Sequence, residues 1–467
     1  MNLLESSNED LLEALKKSRL NVSVYGLGRV GLPLAAAWLR AGAKVLGVDV
    51  NKSWVEKLNS GRFEFRDEPS LQPILKSYIS SGMFKAVTDG VYASKFSNIK
   101  LVAVPTSIDL DSGEPDLSAL IDALKNIAGG LKRGDLVVLE SSVPPGTTIN
   151  LAKPLLESIS RLKVEVDFGL AYSPERVMVG RALKDIEENY PKIVGGIGPK
   201  STRIISTLYS LIARRGVIKL SSTTAAETAK LFEGIYRDVN IALANELSKL
   251  CLKMGLDFME IREACNSQPY CNLHIPGIGV GGACIPIYPR YVMWIADQLD
   301  LNLPITSNAR RINDEMPKYA LNLLLKALKN LDKHFESVKI AVLGLAFRGN
   351  TSDTRLSPAY PLIYSLINQG FKVYVHDPWV EGDIKLNFKG AVFTSLEEAL
   401  KGSDAAIIVT DHDEFKQLPE RVFVELMNKP AVILDGRNIY RNKCFTDNIL
   451  YISMGGKISG MKLALSK

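Results

Sequence analysis

The chain has 467 residues, 46% of them hydrophobic and 23% charged, which is too long for a single core and has the composition of a soluble globular protein of two or three domains. Its 57 Lys and Arg face 51 Asp and Glu, and the net charge of +6 is spread without a basic block. That balance suits a small anionic ligand and excludes the footprint of a nucleic-acid binder.

Five cysteines (Cys251, Cys265, Cys271, Cys284, Cys444) show no CxxC spacing, which argues against a disulfide framework or a zinc site and for a reducing cytoplasm. The amino terminus lacks the layout of a secretion signal, and no apolar run is long enough to span a bilayer, so no membrane partner is expected. Residues 2–19 predict instead a short amphipathic helix, capped by Ser or Asn and closed by Lys and Arg, a lid or packing extension without chemistry of its own.

From Leu20 an apolar strand runs into Gly26, Gly28 and Gly31 in GxGxxG spacing; a helix follows, then a second strand ending at Asp49. The glycines permit a tight turn, close approach of a pyrophosphate and close helix-on-strand packing. Strand, helix and an acid about 20 residues on together point to a dinucleotide fold, and a carboxylate at Asp49 selects NAD over NADP by repelling a 2′-phosphate.

Apolar runs near residues 100, 136, 166 and 192 alternate with helical stretches and predict a parallel doubly wound sheet. Ligands in such sheets lie past the carboxyl ends of the strands. Thr106, Ser107, Ser141, Ser142, Glu175 and Arg176 stand at those ends. The stretch GGIGPKST at 195–202 lacks the glycine before the lysine that a phosphate loop requires and is set aside.

From Thr223 a mixed apolar stripe predicts one helix of about eight turns, a spine and dimer surface. Lys230 and Arg237 lie two turns apart on it, roughly on one face, where both can reach the same anion. The loop PGIGVGGACIPIYPRY, residues 276–291, then gathers Gly277, Gly279, Gly281 and Gly282 around Cys284. A lone thiol in such a loop is either an inert buried side chain or a nucleophile; its place between two nucleotide-binding patterns favours the nucleophile.

Residues 338–359 repeat strand, glycine turn and helix with only Gly344 and Gly349, and a following strand ends in Asp377. This predicts a second, degenerate Rossmann-like domain for another nucleotide. Arg348, Arg355 and Arg437 follow its strands, where guanidinium groups suit a diphosphate. His274, His334, His376 and His412 are scattered and form no metal or triad pattern.

In this order, GLGRVGLP, VPTS, ESSVPPGTT, SPERV, AETAKLFEGIYRDVNIALANE, GVGGACIP, GLAFRGNTSDTR and DGRN resemble the UDP-glucose/GDP-mannose dehydrogenase family, over nearly the whole chain. The resemblance is nearer to the branch acting on UDP-N-acetylhexosamines. It implies an α/β chain of two Rossmann-like doubly wound domains joined by a long helical segment. Residues 1–19 would form a helical extension, 20–220 an NAD-binding domain, 221–320 a helical dimerisation domain with the Cys loop, and 321–467 a UDP-sugar-binding domain.

The resemblance also implies roles. Cys284, Lys230 and Glu175 would be catalytic; Gly26, Gly28, Val30, Gly31, Asp49, Thr106, Ser142 and Arg355 would bind NAD; and Arg176, Val177, Arg237, Gly281, Phe347, Arg348 and Arg437 would bind the UDP-sugar. No metal is implied, and the protein would be a cytoplasmic homodimer or higher homo-oligomer. The reaction would be a four-electron oxidation of a sugar C6 alcohol through a Cys284 thiohemiacetal and thioester. UDP-N-acetylmannosamine is the favoured substrate, with UDP-N-acetylglucosamine, UDP-glucose or a binding protein of little turnover as alternatives. The chain departs from the family pattern at Gly234 where Asn is usual, at Ala283 where the branch has His, at Tyr288 where Asp is common, and ahead of the loop at Gln268, Pro269 and Tyr270, where the branch tends to show a basic HPR.

Overall fold

Short runs of β-branched and aliphatic residues form strands that are buried almost end to end, as expected where helices cover both faces of a sheet. The computed structural model describes residues 1–110, 112–333, 337–380, 390–445 and 448–460, so His334 lies outside the described residues. The chain divides into two units, Met1–Glu233 with Arg290–Asp300, and Gly234–Pro289 with Leu301–Lys467.

In the first unit, β1 (Asn21–Tyr25), β2 (Lys44–Val48), β3 (Phe84–Val87) and β4 (Ile99–Val102) are followed by a two-strand ribbon of β5 (Ser107–Ile108) and β6 (Pro115–Asp116). Then come β7 (Leu136–Leu139), β8 (Gly169–Tyr172), β9 (Lys192–Gly196) and β10 (Val217–Lys219). The main sheet has the order β10-β9-β8-β7-β4-β1-β2-β3, so the winding reverses between β1 and β4. A crevice for ligands lies at such a reversal.

The sheet is not wholly parallel, as the sequence pattern had suggested. β9 runs antiparallel to β8, pairing Ala171 with Gly196 and Tyr172 with Gly195. An antiparallel neighbour needs no crossover helix, and the link 173–191 turns back at the carboxyl end of β8. This reversal sets the first residue of β9, Lys192, close to Pro174 and Glu175.

The amino-terminal helix Asn8–Lys16 opens on a capping box between Ser7 and Asp10 and buries Leu11, Ala14 and Leu15. Arg203, on the helix Pro199–Ile212, donates to Ser6 O (2.9 Å) and Asn8 Oδ1 (3.1 Å) and fastens this extension.

The expected long helix runs Thr223–Met254, 32 residues. From Gly234 onward it belongs to the second unit, with the helices Phe258–Cys265, Pro304–Asp314 and Met316–Asn330. There β11 (Lys339–Leu343), β12 (Lys372–His376), β13 (Ala391–Phe393), β14 (Ala405–Ile408), β15 (Ala431–Asp435), β16 (Ile449–Ser453) and β17 (Ile458–Ser459) make a sheet of order β13-β12-β11-β14-β15-β16-β17. Its first six strands are parallel and wound like those of the first unit; β17 closes the edge antiparallel.

Candidate active site

In the first unit the glycine turn after β1 divides its labour in space. A Cβ on Gly26 would stand 2.5 Å from Ala103 O at the end of β4, and one on Gly31 would stand 1.8 Å from Gly26 O. Both positions are closed by packing. A Cβ on Gly28 would meet nothing within 4 Å. Gly28 therefore leaves open backbone at the amino end of the helix Gly31–Arg40, preceded by Val30 at its cap, a geometry that fits a pyrophosphate. Asp49 follows β2, with Oδ2 accepting from Leu27 N (3.0 Å) and Oδ1 from Asn51 N (2.9 Å). Its carboxylate is thus held at the strand end, and the turn and this carboxylate together fit NAD.

Thr106 and Ser142 are brought together: Thr106 Oγ1 donates to Ser142 O (2.6 Å). Ser141 is occupied structurally, donating to Val104 O (2.7 Å). The turn 146–148 is held by a residue the sequence reading passed over. Glu227, fully buried one turn before Lys230, accepts from Gly146 N (2.6 Å), Thr148 N (2.8 Å) and Thr148 Oγ1 (2.6 Å). Burial raises its carboxyl, and these donors partly offset the rise.

Glu175 and Lys230 meet through the main chain: Lys230 Nζ donates to Glu175 O. The Glu175 carboxylate turns the other way, with Oε1 2.6 Å from Lys192 Nζ, and Lys192 also bonds Glu140 Oε2 at 2.8 Å. Tyr209 OH hydrogen-bonds Glu140 Oε1, and Lys192 Nζ lies 4.8 Å from the Tyr209 ring centroid. Glu140, Glu175, Lys192 and Tyr209 are all buried. Two carboxylates share one ammonium in this core. Burial, followed by the Glu175 charge, pushes the Glu140 carboxyl up to about 8 against the opposing pull of Lys192. Arg176 is committed to Glu233 (2.8 Å) and to Pro191 O, and Val177 packs against the hydrophobic core. Glu140 and Lys192 were legible only as charged residues bounding apolar strands.

In the second unit Cys284 is exposed just ahead of the helix Tyr288–Gln298, and its carbonyl accepts from Ile287 N (3.0 Å) and Tyr288 N (2.9 Å). The glycines before it press on the turn after β11. A Cβ on Gly281 would stand 2.6 Å from Phe347 Cβ, and one on Gly282, at φ +93°, 2.9 Å from Phe347 Cε2. Gly282 N donates to Arg355 O (2.8 Å). Arg355 is held by Asp353 through Nε (2.9 Å) and Nη2 (2.6 Å); this pairing chiefly, with a smaller share from Cys284, raises its already high pKa. So Gly281, Phe347, Arg355 and Cys284 form one cluster.

The loop is fixed from the other side by a buried network with no counterpart in the sequence reading. Gly277 N donates to Asn245 Oδ1 (2.9 Å), and Asn245 Nδ2 to Asn313 Oδ1 (2.9 Å). Asn313 Nδ2 donates to Asp238 Oδ1 (2.8 Å), which also takes Arg310 Nη1 (2.5 Å). These residues recur along two helices, but nothing in their spacing shows which pairs face each other.

Arg437 bonds Asp411 Oδ1 through Nη2 (2.7 Å) and Nε (3.1 Å), and a Cβ on Gly277 would lie 3.8 Å from its Nη1. Arg348 is half-buried in the turn between Gly344 and Gly349. Arg237 stands exposed on the long helix; His274 is lowered by burial first and then by the charges of Arg237 and Arg262. Asp377, the acid after β12, is not presented as Asp49 is. Its Oδ2 accepts from Leu345 N (2.7 Å) and Ala346 N (2.9 Å) and pairs with His412 Nε2 (3.1 Å), and the residue is buried. Among the described residues, no group of three or more His, Cys, Asp or Glu is placed to hold a metal ion, and no helix is long and apolar enough to cross a membrane.

Two doubly wound nucleotide-type units, one with an open glycine turn and a carboxylate suited to NAD, are the features of an NAD-dependent oxidoreductase whose chain also carries a second nucleotide-type fold. Residues 20–213, 224–315 and 341–442 match, respectively, the NAD binding, central and UDP binding domains of the UDP-glucose/GDP-mannose dehydrogenase family, and the chain belongs to that family of nucleotide-sugar dehydrogenases. It is 39% identical over 423 residues to a UDP-N-acetyl-D-mannosamine dehydrogenase of Pyrococcus horikoshii, covering 90% of this chain and 96% of that protein. The solved structure of the UDP-D-ManNAc dehydrogenase from Pyrococcus horikoshii superposes with a TM-score of 0.86 over 94% of this chain and 99% of that one, at 36% identity. An NDP-N-acetyl-D-galactosaminuronic acid dehydrogenase of Ralstonia nicotianae is 36% identical over 430 residues, 90% of this chain and 96% of that protein. A UDP-glucose dehydrogenase structure from Pyrobaculum islandicum aligns with a TM-score of 0.83 at 27% identity, over 94% and 98% of the two chains.

Proposed function

We propose that this enzyme oxidises the C6 alcohol of a UDP-N-acetylhexosamine, UDP-N-acetylmannosamine first among them, to the uronate through covalent attachment to Cys284. The observation that carries the reading is the thiol itself: exposed, at the end of a glycine loop seated on Phe347 and next to Arg355. The identity to mannosamine dehydrogenases, above that to the UDP-glucose enzyme, supports the choice of sugar. UDP-N-acetylglucosamine and UDP-glucose are the alternatives.

NAD supplies the acceptor for the hydride lost from C6 in each of two oxidations. Gly28 and the helix behind it hold the pyrophosphate, Asp49 the ribose, and Thr106 and Ser142 line the neighbouring strand ends. The Lys230 ammonium, oriented by the Glu175 carbonyl, stabilises the alkoxide as the alcohol loses its proton. The Cys284 thiolate adds to the resulting aldehyde, and the thiohemiacetal keeps the half-oxidised sugar bound. Its oxidation leaves a thioester, which water cleaves to the carboxylate and the free thiol. The Glu175 carboxylate, turned into the core onto Lys192, stands away from that water, so Glu175 serves the reaction through the carbonyl that orients Lys230. Phe347, Arg348 and Arg437, with Gly281, Arg176, Val177 and Arg237, hold the UDP-sugar, and Arg355 reaches NAD.

We also assign the unit 2 face bearing Leu243, Leu250, Met254 and Ile305, all exposed apolar residues on the long helix and on Pro304–Asp314, to a homodimer contact.

The test is NADH release from purified protein offered the three UDP-sugars in parallel. Two NADH per molecule of UDP-N-acetylmannosamine is the expected result, with Cys284→Ala abolishing uronate formation. Full uronate yield from Cys284→Ala would overturn the covalent route, and turnover of UDP-glucose alone would overturn the choice of sugar.

A further inference from the structure

We propose that Lys192 is a positioning residue for the dehydrogenase reaction: by drawing the Glu175 carboxylate into the core, it turns the Glu175 carbonyl onto Lys230 Nζ. The segment Ser173–Arg176 is tied to three consecutive residues at the start of β9. Ser173 Oγ donates to Ile193 O (2.7 Å), Glu175 Oε1 takes Lys192 Nζ (2.6 Å), and Arg176 Nη2 donates to Pro191 O. Of these ties, the middle one acts on the residue whose carbonyl receives Lys230. Lys192 is anchored in turn by Glu140 at 2.8 Å and by the face of Tyr209, whose ring meets Trp38 edge-on at 5.5 Å.

Stability alone does not account for such a group. Apolar residues of similar volume commonly replace a buried ion pair without loss of stability, because desolvation cancels most of the attraction. What an ion pair adds is direction. The carboxylate and carbonyl of one residue point to two lysines, so fixing the first orients the second. The antiparallel entry of β9 is what makes the tie possible, since a parallel β9 would carry Lys192 to the far end of β8.

The inference rests on the reading that Lys230 serves the C6 oxidation, and both are tested together. Lys192→Met, Lys192→Arg and Lys230→Ala are compared with the native enzyme in steady-state NADH release, using the UDP-sugar that the native enzyme turns over. NAD affinity is measured separately by fluorescence. A misplaced catalytic group costs up to about 100-fold in rate, so Lys192→Met is expected to lose about 10- to 100-fold in kcat with both KM values within about twofold. Lys192→Arg restores most of the loss, which a purely structural role would not require. If Lys192→Met does not fold, Lys192→Met with Glu140→Gln removes one of the two stranded acids, and the same loss is expected. Native kcat in Lys192→Met beside an inactive Lys230→Ala would overturn the proposal alone, as would a change confined to KM. Native kcat in Lys230→Ala would overturn the reading beneath it, and the proposal with it.

Discussion

A Cβ on Gly234 would stand 2.3 Å from Cδ2 of Tyr288, so two of the positions that depart from the family pattern occupy one another's space. Tyr288 is buried, and its ring covers the long helix where Gly234 exposes the backbone. The two positions are therefore expected to be energetically coupled. Gly234→Asn alone is expected to overpack this contact at about 1–3 kcal/mol, lowering the melting temperature. Combining it with Tyr288→Asp should recover part of that loss, with a coupling of about 0.5–3 kcal/mol between contacting residues. Strictly additive losses in thermal or urea unfolding would sink the idea.

The glycine turn after β1 predicts opposite outcomes for two alanine substitutions. Gly28→Ala adds a methyl group in open space, so the melting temperature should hold while NAD affinity falls about tenfold, or about 1.4 kcal/mol. Gly31→Ala drives its Cβ into Gly26 O and should lower the melting temperature before any ligand is added. Titration calorimetry with NAD and a thermal melt on each variant separate the two roles.

Glu140 predicts a pH dependence of stability. Its folded-state pKa, about 8, lies above that of an exposed glutamate, so the folded protein holds a proton that the unfolded chain releases. Stability from this group therefore falls as pH rises from the ordinary carboxylate range to about 8, and levels off above it. Glu140→Gln lacks that penalty. Its melting temperature relative to native should climb between pH 5 and pH 8, and a difference independent of pH across that window would refute the assignment.

Asp238 is the hub of the network behind the Cys284 loop, accepting from Arg310 and Asn313. Asp238→Ala removes one of the two carboxylates on the buried Arg310 guanidinium, whose Nε stays 3.1 Å from Asp314 Oδ1, and is expected to cost about 1–3 kcal/mol. Arg310→Met in the same background should return much of it. Denaturant unfolding of the single and double variants reads this directly.

Much of this protein is set by local rules that a sequence displays. The GxGxxG spacing and Asp49 announce the first nucleotide turn, because a backbone turn with phosphate access tolerates few side chains at those positions. The shortened Gly344–Gly349 pattern marks a related turn, the long apolar stripe marks the helix Thr223–Met254, and the glycines around Cys284 mark a loop pressed against other chain. What tertiary structure alone decided are the contacts between residues far apart in the chain. The direction of β9, the tie from Lys192 to Glu175 and Glu140, the sealing of Asp377 by Leu345, Ala346 and His412, and the seating of Tyr288 on Gly234 follow no period or spacing. Local sequence sets backbone preference, while the partner of a buried charge or ring is chosen by which elements pack together and by the requirement that each buried polar group find a partner.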